Sequence, residues 1–170
     1  RTLATAATAR RAGVVGRVEL WLDPESDPAV IAAWPERYGV TVATQAGDDL
    51  GTRMRNALRT SIARGAPALL IGTDVPGYDI GYLAHAAAAL ERHDAVVGPA
   101  EDGGYVLIGV ARDIDAFGDV PWSTPGVMAA TRERLAAAGA KHVELPPLWD
   151  VDTGDDYARW RARSEAGAAS

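Results

Sequence analysis

The chain has 170 residues, of which 48% are hydrophobic and 24% charged, with a net charge of −6 at pH 7. That length and balance describe one globular domain with a full core; two ordinary domains, a bilayer-spanning apolar run of roughly 20 residues and a massed basic face for nucleic acid are excluded. No cysteine and a single lysine, Lys141, also exclude disulfides, thiolate metal sites, thiol nucleophiles and a Walker-type lysine loop.

Residues Thr2 to Ala12 read as an alanine-rich helix stopped by Gly13, and Val14 to Leu22 as an apolar, β-branched strand ending at Asp23-Pro24. A short helix is expected from Pro28 to Arg37, disturbed at Pro35, and a strand from Val40 to Thr44. Asp48 then opens an amphipathic helix, since Leu50, Met54, Ala57, Leu58 and Ile62 recur at helical spacing before Gly65. The run Ala68 to Ile71, bounded by Pro67 and Gly72, has the continuous apolarity of a strand buried on both faces.

The order repeats in the second half. A helix from Ile80 to Arg92 precedes strands at Ala95 to Val97 and Tyr105 to Val110; a further helix follows Pro125 and ends at Gly139. A strand from His142 to Leu145, a Pro146-Pro147 loop and a helix from Gly154 complete a single domain spanning 1–165, with 166–170 as a flexible tail. Alternation of this kind predicts an α/β fold with an open, mostly parallel, Rossmann-like sheet and helices on both faces. Ligands of such sheets sit beyond the carboxyl ends of strands, so the chemistry is sought there.

Past the buried Ala68 to Ile71 strand stands Gly72-Thr73-Asp74-Val75-Pro76, where Asp74 is placed either to meet a hard cation or to cap a turn. In Trp149-Asp150-Val151-Asp152-Thr153, extended backbone sends Asp150 and Asp152 to the same side, and two like charges that close call for a divalent counter-ion; a solvated loop before a helix is the alternative. Glu101-Asp102-Gly103-Gly104 precedes an apolar strand. It reads as a glycine-lined approach to a ligand, with Glu101 and Asp102 orienting or deprotonating an acceptor hydroxyl, or as a hairpin turn.

Trp122-Ser123-Thr124-Pro125 reads as a helix start whose amides can also hold an anion and whose indole can stack on a ring, with Ser123 and Thr124 shaping an acceptor pocket. The stretch from Gln45 to Arg53, with Gly47, Asp49 and Gly51, offers donors, acids and an arginine to a phosphate or base. Thr73 is placed with this nucleotide-contacting group.

Five strings, QAGDDLGTRMRNAL, LLIGTDVP, VVGPAEDGGYVLIGV, VPWSTPGV and LPPLWDVDTGDDY, resemble in this order a bacterial GT-A-like glycosyltransferase family of unassigned function associated with arsenosugar biosynthesis. The likeness covers nearly the whole chain. More distantly the chain looks like molybdenum-cofactor guanylyltransferases and phospholactate guanylyltransferases. The resemblance implies a nucleotide-diphospho-sugar transferase fold and Mg2+ or Mn2+ held by Asp74, Asp150 and Asp152, with Asp74, Asp102 and Asp152 catalytic and an acceptor near Gly103 and Gly104. It also implies an initial strand and a basic, glycine-rich loop containing Lys-Thr-Arg, whereas this chain opens at the helix that follows them and reads as starting inside a longer product. The expected reaction is glycosyl transfer from a nucleotide sugar to a small acceptor, with nucleotidyl transfer from a nucleoside triphosphate and a catalytically silent binding domain as the alternatives. A cytoplasmic location, no membrane or nucleic-acid partner and a possible homodimer complete the expectations.

Overall fold

A computed structural model describes residues 1–168. In chain order the elements are α1 (Thr2–Arg11), β1 (Glu19–Leu22), a 3-10 turn (Pro28–Ile31), α2 (Trp34–Tyr38), β2 (Thr41–Thr44), α3 (Leu50–Ile62) and β3 (Ala68–Ile71). There follow α4 (Ile80–Ala89), β4 (Ala95–Pro99), β5 (Tyr105–Val110), α5 (Val127–Ala137), β6 (His142–Glu144) and α6 (Gly154–Ala168). Residues 169–170, the end of the expected tail, lie outside the described residues. Among the described residues, no helix is long and apolar enough to cross a membrane.

Four strands form a sheet in the order β3-β5-β4-β6, and β1 pairs in parallel with β2 in a separate two-stranded piece. Within the larger sheet β5 is antiparallel to both β3 and β4, while β6 is parallel to β4. Hence β3, β4 and β6 share a direction and only β5 opposes them, which gives the mostly parallel open sheet that the alternating pattern predicts.

Side chains on successive strand residues leave opposite faces, and the two faces carry two cores. Ala95, Val97, Ile108 and Val110 pack with Met54 and Leu58 of α3 and with Met128 and Leu135 of α5. Val96 and Leu107 pack with Ala9 of α1 and with Leu83 and Ala86 of α4. Leu107, Ile108 and Leu135 are fully enclosed, and burial of each such side chain contributes about 1.5–3 kcal/mol.

Helix α4 ends at Ala89, short of the expected Arg92, and three further departures from the expected bounds have local reasons. The first strand covers only Glu19–Leu22, because Val14 and Val15 pack against the α1/α4 core instead of pairing. The helix expected from Pro28 to Arg37 divides into a 3-10 turn and α2, with Pro35 seated in the first turn of α2, where its missing N–H costs nothing. Strand β4 runs on to Pro99, two residues beyond Val97, and Ala100 bridges Leu148.

Helix α4 starts where Asp79 accepts a bond from the Tyr82 amide at 2.7 Å. Replacing Asp79 with alanine orphans that donor and is expected to cost about 1 kcal/mol, read as a lowered urea midpoint with an unchanged m-value.

Candidate functional site

Because β3, β4 and β6 run the same way, the segments that follow them emerge on one edge of the sheet. Those segments carry Asp74, Glu101-Asp102 and Asp150-Val151-Asp152 respectively. Backbone bonds then hold them side by side: Leu148 N donates to Pro99 O at 3.0 Å, Glu101 N to Leu148 O at 3.0 Å, and Val151 N to Asp74 O at 3.1 Å.

Within that frame Asp102, Asp150 and Asp152 each offer a carboxylate oxygen, all within 4.8 Å of one another. Oxygens bound to one Mg2+ at 2.0–2.1 Å stand about 3–4 Å apart, so the trio fits a divalent cation after a small contraction. Asp102 joins Asp150 and Asp152 in this group; Asp74 is not one of the three, although its charge acts on both Asp150 and Asp152, and its Oδ1 lies 2.9 Å from where a methyl group on Gly72 would stand.

Electrostatics agree with the crowding. Partial burial raises the Asp150 carboxyl above the ordinary aspartate range, and the charges of Asp102, Asp152 and Asp74 raise it further. Asp152 is likewise raised, by desolvation and then by Asp74, Asp102 and Asp156. A site that resists its own ionisation gains most from a positive ligand.

Glu101 points elsewhere. Arg159 of α6 binds it through two nitrogens, Nη1 to Oε2 at 2.7 Å and Nη2 to Oε1 at 3.1 Å, and this holds the Glu101 carboxyl below its usual range. The same guanidinium lies over the Trp149 ring, 4.3 Å from its centroid, with Arg163 at 5.5 Å. Trp149 is buried.

The glycine pair serves the chain itself. Gly103 N donates to Ala100 O, Gly104 N donates to Asp102 Oδ1 at 2.9 Å, and Gly103 O accepts from Met128 N at 2.9 Å. Gly103 lies against the backbone of Pro125, so these amides order the Asp102 turn and dock it on the start of α5. Thr124 closes its own turn, donating to Pro121 O at 2.7 Å and accepting from Gly126 N at 3.2 Å, and Ser123 has a positive φ of 62°. Trp122 stacks on Phe117 and abuts Tyr105 edge-on.

The group expected to contact a nucleotide clusters at the start of α3. Gln45 Nε2 donates to Trp21 O at 3.2 Å, Asp49 accepts from Thr52 N at 2.8 Å, and Arg53 bonds both Gly47 O and Asp23. Gly51 touches the Trp122 indole, where a methyl group would come within 2.7 Å. This cluster therefore meets the Trp122-Ser123-Thr124 segment, while its polar contacts run to β1 and its own loop. Thr73 stands apart from it, beside Asp74 in a cavity of about 210 Å³ also lined by Arg1, Val151, Tyr157 and Trp160. The Trp160 Nε1 is buried and has no partner among the described residues.

Arg159 and Trp160 were not legible as site residues, because arginines spaced along a mixed helix read as a solvated face. The available signal was Trp149 ahead of a helix with arginines four apart, a spacing that places both on one stripe.

Comparison with known proteins follows the same lines. Residues 4–124 match the model of a family described as an uncharacterized protein conserved in bacteria, DUF2064. No curated protein matches. Among solved structures, a protein of Desulfovibrio desulfuricans G20, provisionally described as a nucleotide-diphospho-sugar transferase, is 29% identical with a TM-score of 0.72, over 89% of this chain and 70% of that one. Rv0371c of Mycobacterium tuberculosis H37Rv is similar in fold, with 19% identity and a TM-score of 0.53 over 92% of this chain and 82% of its own.

Proposed function

The chain belongs to this family of uncharacterized bacterial proteins, and from that premise we propose that it is a metal-dependent transferase acting on a nucleotide-diphosphate donor, with glycosyl transfer from a nucleotide sugar to a small acceptor as its reaction. Its fold is the α/β fold of the nucleotide-diphospho-sugar transferase neighbour. The observation that carries the reading is the convergence of Asp102, Asp150 and Asp152 from two strand ends into one carboxylate group.

A divalent cation held there, Mg2+ or Mn2+, would neutralise the charge of a leaving diphosphate. The chain's own residues set the stage for it. The Asx turn closed by Gly104 N fixes Asp102, and the Val151–Asp74 backbone bond fixes the Asp150-Asp152 strip. In the adjoining cavity, Trp160, Arg1 and Thr73 border the space where part of the donor molecule would lie. At about 210 Å³ that cavity is below the roughly 300–1,000 Å³ of whole-ligand pockets, which suits part of a nucleotide sugar, with the rest lying across the open edge. Of the two acids considered for the acceptor hydroxyl, Glu101 has both carboxylate oxygens engaged by Arg159, which turns it away from that role.

The test is a panel of nucleotide sugars and nucleoside triphosphates incubated with the protein and Mg2+ or Mn2+. Release of a nucleoside diphosphate that EDTA stops and Mn2+ restores is the expected result. Pyrophosphate release from a triphosphate would replace sugar transfer by nucleotidyl transfer. Release of neither product, across donors and both metals, would leave a binding domain and sink the enzyme reading.

A further inference from the structure

Resting on that cation reading, we infer that Arg159 is a positioning residue: by clamping Glu101 and Trp149 together it holds the Asp102, Asp150 and Asp152 carboxylates at metal-binding distance. The geometry is specific. Glu101 precedes Asp102, Trp149 precedes Asp150, and Arg159 projects from α6, the helix that begins two residues after Asp152. One guanidinium thus touches the immediate neighbours of two cradle acids, through a forked ion pair at 2.7 and 3.1 Å and a ring contact at 4.3 Å. It does so from the element continuous with the third.

Such a device answers a physical problem. The charges acting on Asp150 and Asp152 are all carboxylates, and without a cation their repulsion opposes the close approach of the loops after β4 and β6. A basic side chain inserted among them would relieve the strain but would occupy the place of the ion. Arg159 acts instead on Glu101 and Asp156, outside the trio, so it braces the walls while leaving their negative charge for the metal. Arginine suits this task because its planar fork meets a carboxylate at two points while its face lies on an aromatic ring. The pair is partly exposed, with Arg159 at 35% and Glu101 at 51% of side-chain area, and exposed ion pairs contribute little to global stability. Its effect is therefore expected in site geometry more than in folding.

Mn2+ binding to the full chain, measured by calorimetry and by the loss of the free-ion EPR signal, tests the inference without any assay of turnover. Arg159→Ala and Glu101→Gln are each expected to weaken Mn2+ binding about 10–100-fold, as removal of an outer-shell partner does, with the metal-free unfolding midpoint moved by no more than a few degrees. Arg159→Lys keeps the charge but loses the fork and the flat ring contact, and should fall between native and alanine. Native affinity in folded Arg159→Ala, or in Glu101→Gln should the alanine variant not fold, overturns the clamp and leaves the cation cradle standing. Absence of Mn2+ binding by the native chain removes the cradle itself, and the inference with it.

Discussion

Asp150→Asn is expected to lower turnover by about 10²–10³-fold, the rate equivalent of several kcal/mol of lost charge stabilisation at the leaving group, while making the metal-free protein more stable. The two effects have one origin. Burial and the charges of Asp102, Asp152 and Asp74 raise the folded-state pKa of Asp150 above the ordinary 3.8, so the folded protein holds this proton more tightly than the unfolded chain does. Protonation therefore favours folding: the metal-free protein is most stable below about pH 3.8 with respect to this group, and loses that contribution as pH rises through the raised value. Asparagine makes the neutral state permanent and removes the penalty at neutral pH.

Added metal reverses the ranking. A cation at 100 times its Kd stabilises the native protein by about 2.7 kcal/mol, so Mg2+ or Mn2+ should raise the native unfolding midpoint and leave that of Asp150→Asn nearly unchanged. Thermal scans with EDTA and with Mn2+, beside the turnover assay, read both halves. A variant that keeps full activity, or whose midpoint responds to Mn2+ as the native one does, would place the cation elsewhere.

The second large effect belongs to Gly103→Ala. Gly103 has a φ of +96°, and a methyl group there would lie 2.9 Å from the Pro125 Cα and 3.0 Å from its carbonyl carbon, as well as against its carbonyl oxygen. All three are backbone atoms, so no rotamer change relieves the overlap. Left-handed strain of about 1–2 kcal/mol adds to an overpacking cost of about 1–3 kcal/mol, giving an expected loss of about 2–5 kcal/mol in urea unfolding. Gly139 is the matched control: its φ is +60° but nothing lies within 4 Å of an added methyl group, so Gly139→Ala carries the strain alone. Because Gly103 also receives the Met128 amide bond and adjoins Asp102, any shift that accommodates the alanine displaces the cradle. Mn2+ affinity should fall with stability. Equal melting behaviour for the two alanine variants would refute the docking of this turn on Pro125.

Much of the architecture was legible because local pattern and burial agree. Ala68–Ile71 and Tyr105–Val110 are strands over the bounds their apolar runs suggest, and α3 is capped by Asp49, one residue after the Asp48 expected to open it. The site was only half legible. The spacing of Asp150 and Asp152 encodes a shared side, a period-two property of extended chain. That Asp102 joins them depends on β4 pairing with β6, a contact between distant parts of the chain that no local window records. For the same reason Asp102-Gly103-Gly104 read first as a hairpin turn and second as a ligand loop: it is a turn, and that turn is what presents the acid. Gln45 to Arg53 carries the donors and acids its composition promises, yet Arg53 is occupied by Asp23 and Gly47, a partnership set by how β1 meets α3.

The pairing of β4 with β6 also fixes when in a molecule's life the cradle can exist. Asp102 leaves the ribosome well before Asp150 does, and nothing brings the two together until the final strand has docked beside the fourth. Contacts so far apart in sequence form late in folding. A half-made chain therefore has scattered acids, and under the proposed cation reading Mn2+ binding would mark a finished molecule.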